Sequence, residues 1–181
     1  MNKQEAVALF NSMHPDFFER ADIRVMPEGA VFEEMLLNLR EFDSREGNAP
    51  ADVSFGFFEG DMEELRKAVA KVIPEWTEFF GEGDRVFCGF ARGEIASFCL
   101  VEDMGIHRVN GAARKIGGPG CVGTVPEFRG RGIGLSMVRL ATQLLKDEGF
   151  DYSYIHYTAV APWYAKLGYT TILKWGREGV I

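Results

Sequence analysis

Val122-Gly-Thr-Val-Pro-Glu-Phe-Arg-Gly-Arg-Gly-Ile-Gly134 is the stretch on which the reading of this chain turns. A strand-like run stops at Pro126, which has no N–H to give to a sheet ladder. A glycine-rich turn follows, and then a long amphipathic helix. Ile133, Met137, Leu140, Ala141, Leu144 and Leu145 fall on one face of that helix, and Gly149 can cap its end. Seven of the 21 glycines lie between Gly117 and Gly134. No proline interrupts residues 127–136, so every amide there can donate. The first N–H groups of a helix have no acceptor within it, and a glycine-rich approach leaves them open to an anion. Arg129 and Arg131 flank the turn. The ligand predicted here is a phosphate or pyrophosphate.

Three phosphate-binding patterns compete for the segment. The dinucleotide fingerprint Gly-x-Gly-x-x-Gly fails, because Gly130, Gly132 and Gly134 alternate and position 135 is Leu. The nucleotide P-loop has its glycine spacing at Gly118 and Gly123, but Thr124 and Val125 follow and its lysine is absent. The third pattern, Arg/Gln-x-x-Gly-x-Gly/Ala, is matched by Arg129, Gly132 and Gly134. It resembles the coenzyme A pyrophosphate loop of the GNAT superfamily of acyl-CoA N-acyltransferases. Thr124-Val125-Pro126 resembles the Val-x-Pro strand that enters that loop, and Tyr164-Ala-Lys-Leu-Gly-Tyr169 resembles the family's later Tyr-x-Lys-x-Gly-Phe/Tyr motif. The likeness covers roughly residues 53–175 and is specific from about 121 to 169.

The resemblance implies an α/β fold: a single mixed, mostly antiparallel sheet flanked by helices, with a V-shaped splay at the cofactor strand. It implies acetyl-CoA as co-substrate, with Val122, Gly123, Thr124 and Val125 offering a strand edge to the peptide-like pantetheine arm. Arg129, Gly130, Arg131, Gly132, Ile133, Gly134 and Leu135 form the pyrophosphate turn. Pairing should stop at Pro126, and a backbone N–H of Thr124 or Val125 should polarise the thioester carbonyl. Tyr164 is the implied general acid for the departing thiolate. For the base that takes the amine proton, His156 is preferred over Glu102 and Asp103, which end a central strand in this reading. Imidazole has a suitable reference pKa of ~6.5. One departure stands out. Many relatives carry an asparagine before the tyrosine helix, where this chain reads Tyr157-Thr-Ala-Val-Ala-Pro162.

Composition sets the outer limits. A chain of 181 residues, 46% hydrophobic and 26% charged, is an ordinary globular sequence, and a chain this long buries roughly 70% of its unfolded surface. The net charge of −7 argues against non-specific nucleic-acid binding and mildly favours cationic partners such as amines. No apolar run reaches membrane length, and Met-Asn-Lys-Gln-Glu lacks a secretory core, so a cytoplasmic location without membrane partners is expected. Cys88, Cys99 and Cys121 read as buried, reduced thiols; a hairpin disulfide between the first two is disfavoured in that compartment. His14, His107 and His156 have no metal-ligand spacing, so no metal is expected.

Along the chain, residues 1–52 read as an N-terminal helical extension packed on a GNAT-like core at 53–181. It has a short helix at Gln4–Met13 and a second at 28–42, traced by Val31, Phe32, Met35, Leu36, Leu39 and Phe42. Asp43–Asp52 reads as a surface loop. Strands are expected at 53–58, 85–91, 94–102, 120–125, 150–157 and 169–175. Helices should start at Asp61 and Pro74, and a hairpin turn falls at Arg92-Gly93. Residues 103–120 read as an irregular connection. The function expected is acetyl transfer to a primary amine of a small molecule or an amino terminus, with a homodimer left open. The alternative is a non-catalytic acyl-CoA sensor or docking module, suggested by the added segment and the missing asparagine.

Overall fold

The computed structural model describes residues 1–43 and 49–181; positions 44–48 of the expected surface loop lie outside the described residues. The strands are β1 (Phe32–Asn38), β2 (Val53–Phe57), β3 (Val86–Ala91), β4 (Glu94–Val109), β5 (Ala112–Thr124), β6 (Tyr152–Thr158), β7 (Thr170–Gly176) and β8 (Gly179–Val180). The α-helices are α1 (Lys3–Met13), α2 (Ala21–Arg24), α3 (Met62–Ala70), α4 (Ile133–Asp147) and α5 (Ala161–Ala165). The strands form one mixed sheet in the order β2-β3-β4-β5-β6-β1-β7-β8. Its recorded pairs are antiparallel except β5 with β6, which is parallel. This is the mixed, mostly antiparallel sheet flanked by helices that the sequence implied.

Internal contacts divide the chain into two compact units, each built from separate stretches. The first takes Met1–Phe42, Asp103–Gly117 and Gly149–Ile181; the second takes Asp43–Glu102 and Gly118–Glu148.

In the first unit α1 opens as expected. Asn2 caps it with a reciprocal pair: Asn2 accepts from the Glu5 amide, and the Asn2 amide donates to the Glu5 carboxylate. The helix expected over 28–42 is not there. Residues 32–38 are β1, paired with β6 on one side and β7 on the other. The apolar spacing was misleading for a physical reason: Glu34, Met35, Leu36 and Leu37 are buried in succession, which only a strand covered on both faces requires. A short, nearly continuous apolar run carries no period that separates the two structures. Phe10, Phe17, Ile23, Leu173 and Trp175 form one buried cluster that fastens α1, α2 and the turn between them onto β7.

Residues 103–120 are also more regular than expected. β4 runs on to Val109 and returns as β5 through Asn110 and Gly111, whose φ values of +49° and +77° suit a two-residue hairpin turn. Glu102 and Asp103 therefore lie within a strand rather than at its end, and both are exposed.

In the second unit β3 and β4 turn at Arg92 and Gly93, both with positive φ, as the sequence predicted. Asp61 caps α3 by accepting from the Glu63 amide. Leu65, Val69, Phe80, Val86, Phe98, Val125 and Ile133 belong to one buried core. The register places Cys88 opposite Phe98, so Cys88 and its diagonal neighbour Cys99 point to opposite faces of the sheet. Both are free thiols. Burial pushes Cys88 and Cys121 up to about 12 and Cys99 higher still, the last two with a smaller push from the Glu102 carboxylate among other groups.

Candidate functional sites

The glycine turn lies in the second unit. Pro126–Phe128 form one 3-10 turn, Arg129 is extended, and Gly130 and Gly132 take φ values of +77° and +76°. A side chain is strained at either position, which is why glycine stands there. Gly132 caps α4 without any side-chain bond. The first bond within the helix is from the Ser136 amide to the Gly132 carbonyl, 3.0 Å. The amides of Ile133, Gly134 and Leu135 therefore have no partner in the helix, as the sequence reading requires.

The two arginines are already engaged. Arg129 Nε donates to the Thr124 carbonyl at 3.0 Å and so ties the turn back to β5. Arg131 Nη2 donates to both carboxylate oxygens of Asp52, at 2.6 and 2.8 Å. That hydrogen bond holds the Asp52 carboxyl below its usual range. A neighbouring carboxylate thus shares the cation that the sequence offered to phosphate.

Strand geometry sorts the expected oxyanion donors. The Val125 amide donates to the Ala96 carbonyl of β4 at 2.9 Å, so it is not free for a thioester. Alternation along a strand turns the Thr124 amide the other way, which leaves Thr124 as the remaining candidate. The pairing of β5 with β6 ends before Pro126. Its recorded partners are Ile116 with Tyr152 and Gly117 with Ser153, and the Asp151 amide donates to the Lys115 carbonyl. Backbone groups at 115 and 117 face β6, and the next position in that phase is Pro119, which has no N–H. The glycine cluster around it, which sequence alone did not explain, is in part a matter of space. A Cβ at Gly120 would meet the Glu102 carboxylate, and one at Gly123 would meet the Phe98 ring.

Tyr164 and His156 lie in the first unit. Tyr164, on α5, is buried, with its ring edge-on to Trp163 (4.8 Å between centroids). Tyr169, the last residue of the same motif, shares a 2.7 Å hydrogen bond with Ser153 on β6 and is a buried packing residue.

His156 sits on β6 beside a group that spacing could not reveal. Glu34 on β1 is fully buried, yet its carboxylate is ringed by donors. Trp175 Nε1 donates to Oε1 at 2.6 Å and the Tyr157 amide at 3.2 Å. His156 Nδ1 lies 2.9 Å from Oε2 and 3.1 Å from Oε1. A bulge makes this possible: Glu33 pairs with Thr158 and Met35 with Ile155, so Glu34 faces two residues, His156 and Tyr157. Tyr157 takes a φ of +57°, a strained value for a tyrosine. The His14 ring stacks on His156 at 3.9 Å. Burial first, then the His156 charge, lowers the His14 pKa to about 4. Burial, followed by the Glu34 carboxylate, raises the Tyr154 hydroxyl well above its ordinary value. Glu34 and His14 were missed because their partners stand more than a hundred residues away. The visible signal was a carboxylate inside the apolar run Phe32–Leu37.

Comparison with known families gives a match over residues 46–172 to the acetyltransferase (GNAT) domain. The chain belongs to that family, and acyl transfer is the family's chemistry. No curated protein matches the chain in sequence. Among solved structures, a glucosamine N-acetyltransferase region of a fungal multi-domain GH3 β-N-acetylglucosaminidase is similar at TM-score 0.66 and 21% identity, over 80% of this chain and 20% of that one. A GCN5-related N-acetyltransferase from Sphaerobacter thermophilus gives 0.60 and 17%, over 80% and 49%. One from Kribbella flavida gives 0.57 and 14%, over 81% and 56%. The chain thus spans little more than half of these structures or less, and at such identities they show the fold alone. No helix among the described residues is long and apolar enough to cross a membrane.

Proposed function

We propose that the chain is an acetyl-CoA-dependent N-acetyltransferase that passes the acetyl group to a primary amine, of a small molecule or an amino terminus, by direct attack through a tetrahedral intermediate. The observation that carries the reading is the bare run of amides at Ile133, Gly134 and Leu135 behind the left-handed Gly130 and Gly132. Those amides and the positive end of α4 suit a pyrophosphate. The edge of β5 over residues 122–124 suits the pantetheine arm. The Thr124 amide is the donor for the developing oxyanion, a contribution of ~3 kcal/mol to transition-state stability for one such group.

Tyr164 is the proton donor to the departing thiolate. Tyrosine and thiol have reference pKa values of ~10 and ~8.5, so complete transfer is uphill by about 2 kcal/mol. The proton therefore moves as the C–S bond breaks. His156 is the base for the amine. With Nδ1–H turned to Glu34, Nε2 is the nitrogen left to accept a proton.

The test pairs calorimetry with turnover. Coenzyme A and acetyl-CoA should bind the folded chain and ATP should not, and thiol release should appear with some member of an amine panel. Tyr164→Phe should lower kcat by ~10²-fold or more, in the range of general acid catalysis, with little change in cofactor affinity. A folded protein giving no heat with coenzyme A refutes the reading.

A further inference from the structure

The cluster at the β1–β6 bulge does more than orient one imidazole. One ligand atom each from His14, Glu34 and His156 lie within 4.8 Å of one another. His14 Nε2 is buried and has no hydrogen-bond partner among the described residues. A buried polar atom left without a partner calls for a guest. The surrounding backbone has been bent to build the place: β1 breaks register with β6 and with β7 at Glu34, and Tyr157 is held left-handed. Strain of that kind persists where neighbouring structure enforces it, and it gathers at functional sites.

We propose that His14, Glu34 and His156 form a binding site for a zinc-like divalent cation, with two imidazole nitrogens and one carboxylate oxygen as protein ligands and water completing the shell. The donor set is that of borderline transition metals; magnesium and calcium take oxygen ligands. The carboxylate is prepared for the task. Trp175 Nε1–H and the Tyr157 amide both donate to Oε1, which leaves Oε2 turned to His156 Nδ1. With bonds of ~2.1 Å, tetrahedral ligand atoms stand about 3.4 Å apart. The Nδ1–Oε2 distance of 2.9 Å opens by about half an ångström to admit the ion, exchanging the shared proton for metal. The His14 ring must turn out of its stack on His156. It is the residue that ends α1, with φ −130° and ψ 68°, so turning it leaves the helix intact. The site stands independently of the acyl-transfer reading. A cation on Nδ1 leaves the ring proton on Nε2, so occupancy and the base role exclude each other at His156, and the ion would act as a brake on turnover.

The experiment uses the full chain freed of metal with a chelator. Zinc chloride titrated by calorimetry should give one ion per chain, and cobalt(II) should develop the visible absorption of a low-coordinate site, while magnesium gives neither. Loss of an outer hydrogen bond typically costs ~10–100-fold in metal affinity, and that is the loss expected for Trp175→Phe. His14→Ala, which leaves the Glu34–His156 bond in place, should lose more. His107→Ala should change nothing, since His107 bonds to Ser12 and to the Met104 carbonyl instead. Circular dichroism confirms that each variant is folded. No zinc binding by the wild type, equal affinity in His14→Ala, or loss of binding in His107→Ala overturns the proposal. Zinc binding without inhibition of turnover leaves the site standing and removes His156 from the acyl-transfer mechanism.

Discussion

Two glycines three residues apart on β5 should respond unequally to the same added methyl group. At Gly123 an ideal Cβ overlaps the Phe98 ring, with two of its carbons at 2.6 and 2.9 Å. Phe98 is fully buried, and its ring is packed edge-on against Phe80, 5.6 Å between centroids. The ring cannot withdraw without displacing the core of the second unit. At Gly120 the Cβ meets the Glu102 carboxylate, with Cδ at 3.1 Å, but Glu102 is exposed and its tip can swing into water. Neither glycine has a positive φ, so backbone strain does not enter. Overpacking of a dense core costs ~1–3 kcal/mol. Alanine for glycine returns ~0.4–1 kcal/mol by restricting the unfolded chain. Gly123→Ala should therefore lose about 1 kcal/mol net, a fall in Tm of ~2–4 °C for a protein this size. Gly120→Ala should stay within about 0.5 kcal/mol of wild type. Paired thermal and urea melts followed by circular dichroism measure both. Equal behaviour of the two variants, or a neutral Gly123→Ala, would show that Phe98 does not close on β5 as described.

Other consequences follow from charge and burial. Asp52→Asn should strengthen coenzyme A binding about two- to fivefold at low salt, because it frees Arg131 and removes a like charge beside an anion site, and the gain should fade as salt rises. Unchanged affinity would place the diphosphate away from Arg131. The native thiols should resist Ellman's reagent at pH 8, while all three react once unfolded, since Cys88 and Cys121 do not ionise until about 12. The same shift sets a sign for stability. An unfolded thiol loses its proton from about 9, below the folded value, so the unfolded state binds fewer protons and stability falls as pH rises above 9. Stability that climbed across that alkaline window would contradict the burial of these thiols.

What the sequence could disclose depended on how local the cause was. The glycine turn, the cap at Asp61, the Arg92-Gly93 hairpin and the end of α4 at Gly149 were legible because each follows from the conformational limits of a few neighbouring residues. Asn110-Gly111 carried the same signal. It was outweighed by a following stretch, Gly117-Gly-Pro-Gly120, that looks like loop until Glu102 is seen lying against it. β1 was lost for a different reason. Its four consecutive buried residues are set by β6 on one side and β7 on the other, strands that begin more than a hundred positions later.

The same distance hid the Glu34 cluster, and it shows what a sequence reader could have asked. A carboxylate in the middle of Phe32–Leu37 is tolerable on an amphipathic helix, where it turns to water. In a strand buried on both faces it must be met by donors, because an uncompensated buried charge costs several kcal/mol. Calling the segment a helix therefore removed the question that Glu34 poses. Calling it a strand would have demanded partners for that residue. A tryptophan N–H, an imidazole and a main-chain amide exposed at a bulge are what the fold supplies. Glu34→Gln tests whether charge or shape is being met. The amide retains one acceptor oxygen for Trp175 and presents N–H to His156 Nδ1, which must then become an acceptor. If the cluster is built around a negative charge, that variant should lose metal affinity altogether while circular dichroism still reports a folded sheet. Full zinc affinity in Glu34→Gln would show that the carboxylate is a packing residue and not a ligand.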